Sequence, residues 1–90
     1  MLPNTLLDAY VGDYPRDAHD TVKVRRLPDG LLSLTFAGGE LIMHAASPTH
    51  FYAQTTDVQC KFEFTSEKKR LLVTVGEDFT RAMVMEKAGP

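Results

Sequence analysis

Arg81 is the residue of this chain whose position in the sequence indicates the most specific chemistry. In the alternation of Phe79, Arg81, Met83 and Met85, an extended chain would place the guanidinium on the same side as apolar side chains. An unpaired charge in an apolar interior is very costly, so a buried Arg81 needs a partner. A guanidinium can bind a carboxylate through two parallel hydrogen bonds. Arg81 therefore indicates a carboxylate site, or a bulge that turns the side chain outward.

A second set of residues has the chemistry of metal ligands. His19, His44, His50 and Cys60 carry suitable nitrogen and sulfur atoms, but their spacing fits no compact zinc pattern. Only His44 and His50 could approach each other across a hairpin. We therefore expect no metal and no other cofactor.

Candidate nucleophiles lack the sequence context that catalysis requires. Ser33, Ser47 and Ser66 stand in no Gly-x-Ser-x-Gly elbow. Cys60 alternates with apolar residues, which favours a small buried hydrophobic side chain over a reactive thiolate. The acidic residues cluster at turns, where nothing raises the pKa of a carboxyl group for acid catalysis. We predict that the chain is not an enzyme.

The elements that must position these residues are short strands. Residues 4–9 follow a proline and favour one or two helical turns. From residue 10 onward the apolar residues recur with period two, between turn signals such as Pro28-Asp29-Gly30 and Gly38-Gly39. This pattern predicts an all-β fold, with strands at 10–14, 21–27, 31–36, 40–45, 50–54, 58–64, 71–75 and 79–86. Strands of this number and spacing indicate an eight-stranded antiparallel up-and-down barrel or a strongly curled sheet.

Composition limits the possible partners. Ninety residues make one small domain, residues 1–90, and a formal net charge of −2 gives no basic patch for nucleic acid. No apolar run is long enough for a membrane span, and the first residues have no signal-peptide pattern. The single cysteine says nothing about the redox compartment, so localisation stays open.

Several motifs together resemble a known domain. They are Leu7-x-x-Tyr10-x-Gly12-x-Tyr14, the Pro-Asp-Gly hairpin, Ser47-Pro48-x-x-Phe51 and Val58-x-x-x-Phe62. In these features the chain resembles the lipocalin-like C-terminal domain, of unknown function, of bacterial penicillin-binding-protein-like serine hydrolases and esterases. The resemblance implies a β-barrel that packs on, or is tethered to, a catalytic hydrolase domain. The Ser-x-x-Lys nucleophile pattern of those hydrolases has no match in this chain.

The chain is also similar, in part, to the lipocalins proper. They carry Gly-x-Trp in the first strand and a basic residue in the last strand that packs on the Trp. Gly12-Asp13-Tyr14 and Arg81 stand at the corresponding places, and the chain contains no tryptophan. This similarity implies that Arg81 stacks on the Tyr14 ring and closes one end of the barrel.

Two functions follow as hypotheses. The first is a non-catalytic accessory barrel that packs on a partner domain or forms a homodimer. Its candidate interface residues lie opposite the main apolar faces of their strands: Leu31, Ile42 and Leu72. The second is a barrel whose interior binds a small apolar or carboxylate ligand. Its candidate lining residues are Tyr14, Tyr52, Phe62, Arg81, Met83 and Met85. Short strands enclose little volume, which favours the first hypothesis.

Overall fold

A computed structural model of the chain describes residues 4–17, 20–36, 39–76 and 78–88. One helix precedes eight strands, and their bounds are α1 (Asn4–Tyr10), β1 (Gly12–Asp17), β2 (Asp20–Arg26), β3 (Leu32–Phe36), β4 (Gly39–Ala45), β5 (His50–Ala53), β6 (Val58–Phe64), β7 (Lys69–Val75) and β8 (Met83–Glu86). Within these ranges, no helix has the length and apolar character that a bilayer crossing requires.

The strands form one up-and-down sheet. Each strand pairs antiparallel with the next along the chain, in the order β1 to β8. The sheet curls until β8 comes back beside β1, which makes a nearly closed barrel. The predicted eight-stranded antiparallel barrel with a short N-terminal helix is therefore confirmed.

Most predicted strand boundaries lie within two residues of the observed ones, and two strands differ in a way that has a structural cause. The strand expected to end at Pro15 continues to Asp17, because a bulge between these residues absorbs the irregularity. The strand expected over residues 79–86 begins only at Met83. A single turn of 3-10 helix, Phe79–Arg81, occupies its first part, and the Asp78 carboxylate caps this turn by accepting from the Thr80 amide at 3.0 Å. Gly38 lies outside the described residues.

The interior is built from the inward side chains of all eight strands. Among the described residues, fifteen apolar side chains form the buried core, including Tyr14, Phe51, Phe62 and Met85. Helix α1 adds Leu7 and Tyr10 and covers one end of the barrel. The Tyr10 ring stacks on Phe62 with centroids 4.0 Å apart. Cys60 is fully buried in this core, as its alternation predicts.

Polar contacts fix this covered end. The Tyr14 hydroxyl donates to the Tyr10 carbonyl at 2.8 Å, and the Tyr10 hydroxyl donates to the Pro48 carbonyl at 2.8 Å. Burial raises the pKa of both phenols. Both hydroxyl groups therefore have a partner, which a buried phenol requires.

The backbone of β8 divides its polar groups between two neighbours. The Lys87 amide donates to the Lys69 carbonyl at 2.7 Å, so residues 83, 85 and 87 direct their backbone groups toward β7. Val84, Glu86 and Ala88 must then direct theirs toward β1. The Ala88 amide accordingly donates to the Asp13 carbonyl at 2.8 Å.

Barrel closure stops at Pro15 for a chemical reason. The Asp13 carbonyl faces β8, so Pro15, two residues later on the same strand, faces β8 as well. Proline has no amide hydrogen to donate, so within sheets it occurs at free edges, at the first residue of a strand, or at bulges. Between the described residues of β1 and β8 no regular ladder forms, and a seam remains.

Candidate functional site

The six residues predicted to line an internal ligand site do not share a cavity. Tyr14, Phe62 and Met85 are packed into the core, each at most 3% exposed. Tyr52 points outward from β5 and is half-buried against His44, their ring centroids 5.7 Å apart. Arg81 and Met83 lie at the end of the barrel opposite α1.

The inward position expected for Arg81 is wrong. Residues 79–81 form a 3-10 turn, so the alternation that would align Arg81 with Met83 and Met85 does not apply. The guanidinium is exposed to solvent. Tyr14 is fully buried, with its hydroxyl bonded to Tyr10, and its aromatic neighbour is Phe62 at 6.1 Å.

Of the three predicted interface residues, the structure brings two together. Leu31 and Ile42 line one groove of about 370 Å³ on the outside of the barrel, with His44 at its edge. Leu72 points outward from β7, and β5 and β6 separate it from Ile42. Its cross-strand neighbours are Lys61 and Val84. One flat partner surface therefore cannot cover all three residues without wrapping around the barrel.

Leu72 belongs to an apolar surface on the outside of the barrel. We call this surface the outer hairpin face, and it consists of Leu72, Phe79 and Val84. Val84 is 55% exposed and lies directly opposite Leu72. Phe79 reaches this side from the 3-10 turn, with its ring centroid 4.5 Å from Lys61 Nζ. Its ring also contacts the edge of His50 at a centroid separation of 5.4 Å. Aromatic and aliphatic groups bordered by a cation form a surface suited to protein contacts.

The open end of the barrel has a second apolar surface, which we call the mouth groove. It has a volume of about 310 Å³ and is lined by Val73, Thr74, Val75, Arg81 and Met83. Val75 is 74% exposed and Met83 40% exposed. Val75 and Met83 occupy positions whose side chains face inward along their strands. They lie at strand ends, however, where the core does not cover them.

Two of the residues that have the chemistry of metal ligands, His44 and His50, have separate partners. His44 stacks on Tyr52, whereas His50 Nε2 lies 2.6 Å from Gln59 Oε1. His19 lies outside the described residues. Among the residues that the structure describes, no group of three or more His, Cys, Asp or Glu side chains could hold a metal ion. Burial raises the pKa of the Cys60 thiol to about 12, so at neutral pH it is a protonated core side chain.

Sequence reasoning missed Val75, Phe79 and Val84 as surface residues. The signal for Val84 was present, because it alternates out of phase with Met83 and Met85. No comparable signal marks Val75, which has the phase of a core residue, or Phe79, which lies in a turn that the period-two pattern conceals.

The chain was compared with protein-family models, curated proteins and solved structures. No protein-family model, curated protein or solved structure matches the chain.

Proposed function

We propose that this chain is a non-catalytic accessory barrel that binds a protein partner through the outer hairpin face. The observation that supports it most directly is the exposure of Val84, 55% open to solvent beside Leu72 on the outer surface of the sheet. Burying an apolar side chain of this size contributes about 1.5–3 kcal/mol, so Leu72, Phe79 and Val84 together would form an effective interface centre.

The rest of the molecule supports an interaction role over an internal ligand. Side chains of the core residues fill the barrel, and several of the largest, including Tyr14 and Phe51, are wholly buried. The partner is either a second domain, as the resemblance to hydrolase accessory domains implies, or a second copy of this chain. Lys61 and His50 border the apolar centre and would contribute polar contacts at its rim.

A site-specific photo-crosslinker tests this proposal in the cells that make the protein. p-Benzoylphenylalanine replaces Val84 in one variant and Lys23 in a matched control; Lys23 is exposed on β2. We expect one discrete adduct from position 84, identified by mass spectrometry, and none from position 23. No adduct from position 84, or the same products from both positions, would contradict the proposal.

The mass of that adduct identifies the kind of partner. An adduct of twice the chain mass indicates a second copy, and any other single mass indicates a different protein. If the partner is a second copy, Val84→Ser should reduce the dimer fraction in sedimentation velocity. Ile42→Ser should leave it unchanged, because Ile42 is 48% exposed on a different part of the barrel.

A further inference from the structure

We infer that the mouth groove binds a small organic acid, a single carboxylate attached to a compact apolar group. The groove combines two features that such a ligand requires. Its lining combines three apolar residues, Val73, Val75 and Met83, which we call the floor, with the exposed Arg81, which we call the rim. The ligand would lie outside the packed core, at the open end of the barrel.

The floor offers little to a polar ligand. Among the described residues of the lining, Thr74 Oγ1 is the only hydroxyl, and it already donates to the Asp78 carbonyl at 3.0 Å. Val75 and Met83 are unusually exposed for their size, at 74% and 40%. An apolar group placed on them removes this surface from water, which is the favourable part of binding.

The rim determines the charge of the ligand. Among the described residues, no carboxylate lies within 4.0 Å of the Arg81 guanidinium. A second cation is close to the groove, because Arg16 Nη1 lies 3.9 Å from Met83 Sδ. Arg16 also forms an ion pair with Asp20 at 2.9 Å, so Arg81 is the cation better placed to bind an added anion. A planar guanidinium binds a carboxylate through two charge-assisted hydrogen bonds.

The groove has room for a small molecule. Its volume of about 310 Å³ is at the lower end of typical ligand sites, roughly 300–1,000 Å³. We expect a short branched acid to place its apolar group on Met83 and Val75 and to direct its carboxylate toward Arg81. This site does not depend on the proposed protein interface, because Val84 is not part of its lining.

The test is a methyl NMR titration of the whole chain with 4-methylpentanoate, and with 4-methylpentanamide as the neutral isostere. We expect the acid to shift the Val75 and Met83 methyl signals with millimolar affinity, and the amide to bind about tenfold more weakly. Equal affinity for acid and amide would overturn the proposal, because the guanidinium would then contribute nothing.

Two arginine variants complete the test. Arg81→Gln should weaken acid binding by about tenfold, whereas Arg25→Gln, at an exposed position on β2, should leave it unchanged. Both substitutions are at exposed positions, and unchanged amide spectra verify the fold. The inference fails if both variants bind the acid equally, or if the acid shifts core signals such as Met85 in place of Met83.

Discussion

Ser33 is a fully buried residue whose hydroxyl has no hydrogen-bond partner within the described part of the chain. The strand register places it between Arg25 and Ile42. Its position contrasts with that of Ser47, whose Oγ accepts from the His50 amide at 3.0 Å. A buried hydroxyl that has lost its water without gaining a partner reduces stability.

We expect Ser33→Ala to raise the free energy of unfolding by about 1 kcal/mol, because it removes an unsatisfied polar atom. Ser47→Ala should lower it by a similar amount, because the His50 and Thr49 amides lose their acceptor. Urea denaturation measures both. A loss of stability in Ser33→Ala would show that the hydroxyl has a favourable contact in the folded protein.

Because the Cys60 thiol is buried, we expect the free energy of unfolding to depend on pH in the alkaline range. Burial raises the pKa of its thiol to about 12, from an ordinary value near 9.0. The unfolded chain therefore loses this proton at a lower pH than the folded chain, so the free energy of unfolding falls as pH rises between these values. Urea midpoints measured across this range should fall less steeply in Cys60→Ala than in the parent chain. Parallel pH profiles would contradict the burial of the thiol.

At the scale of elements, the seam between β1 and β8 is closed by a side chain. Lys87 extends across Gly12, and its Nζ donates to the Ala9 carbonyl at 3.2 Å, near the end of α1. Desolvation and the nearby Lys69 charge lower the pKa of Lys87. Gly12 has φ +153° and leaves room for the lysine, because a Cβ there would lie 2.6 Å from Lys87 Cε.

Gly12→Ala should therefore reduce the free energy of unfolding by about 1–3 kcal/mol, through backbone strain and displacement of Lys87. Gly39→Ala is the control, because a Cβ at Gly39 meets nothing within 4 Å. Urea denaturation and amide exchange at Ala88 provide the measurements. Equal effects of the two substitutions would mean that the Lys87 contact does not hold the seam.

At the scale of the whole molecule, Phe62 joins the helix to the barrel. Its ring stacks on Tyr10 at 4.0 Å and meets Phe51 edge-on at 5.7 Å. Phe79 is also aromatic, but it is half-buried on the outer surface. Phe62 and Phe79 therefore allow the contribution of a buried phenylalanine to stability to be compared with that of a surface phenylalanine.

Phe62→Ala should lower the free energy of unfolding by about 3–5 kcal/mol, a large share of the roughly 5–15 kcal/mol typical of a domain. Phe79→Ala should cost under about 1 kcal/mol, because the ring stays near water in the native state. Thermal and urea denaturation compare the two variants. Similar losses would show that the Phe79 turn is part of the core.

The class of fold and the positions of most strands follow from the amino-acid sequence alone. Alternation of apolar residues in segments such as 58–64 is a local property, and Pro28-Asp29-Gly30 favours a turn through its own backbone preferences. The burial of Cys60 followed from the same alternation. Each of these inferences needs only neighbouring residues, which is why the chain alone supports them.

Which residues form the candidate surfaces depends on strand register and long-range packing. Strand register places Val84 beside Leu72, and the 3-10 turn moves Arg81 out of phase and onto the rim of the mouth groove. Both results depend on pairing between segments and on a turn stabilised by Asp78, and a period-two pattern contains neither. The candidate sites therefore lie where local alternation ends and long-range packing sets the position of each side chain.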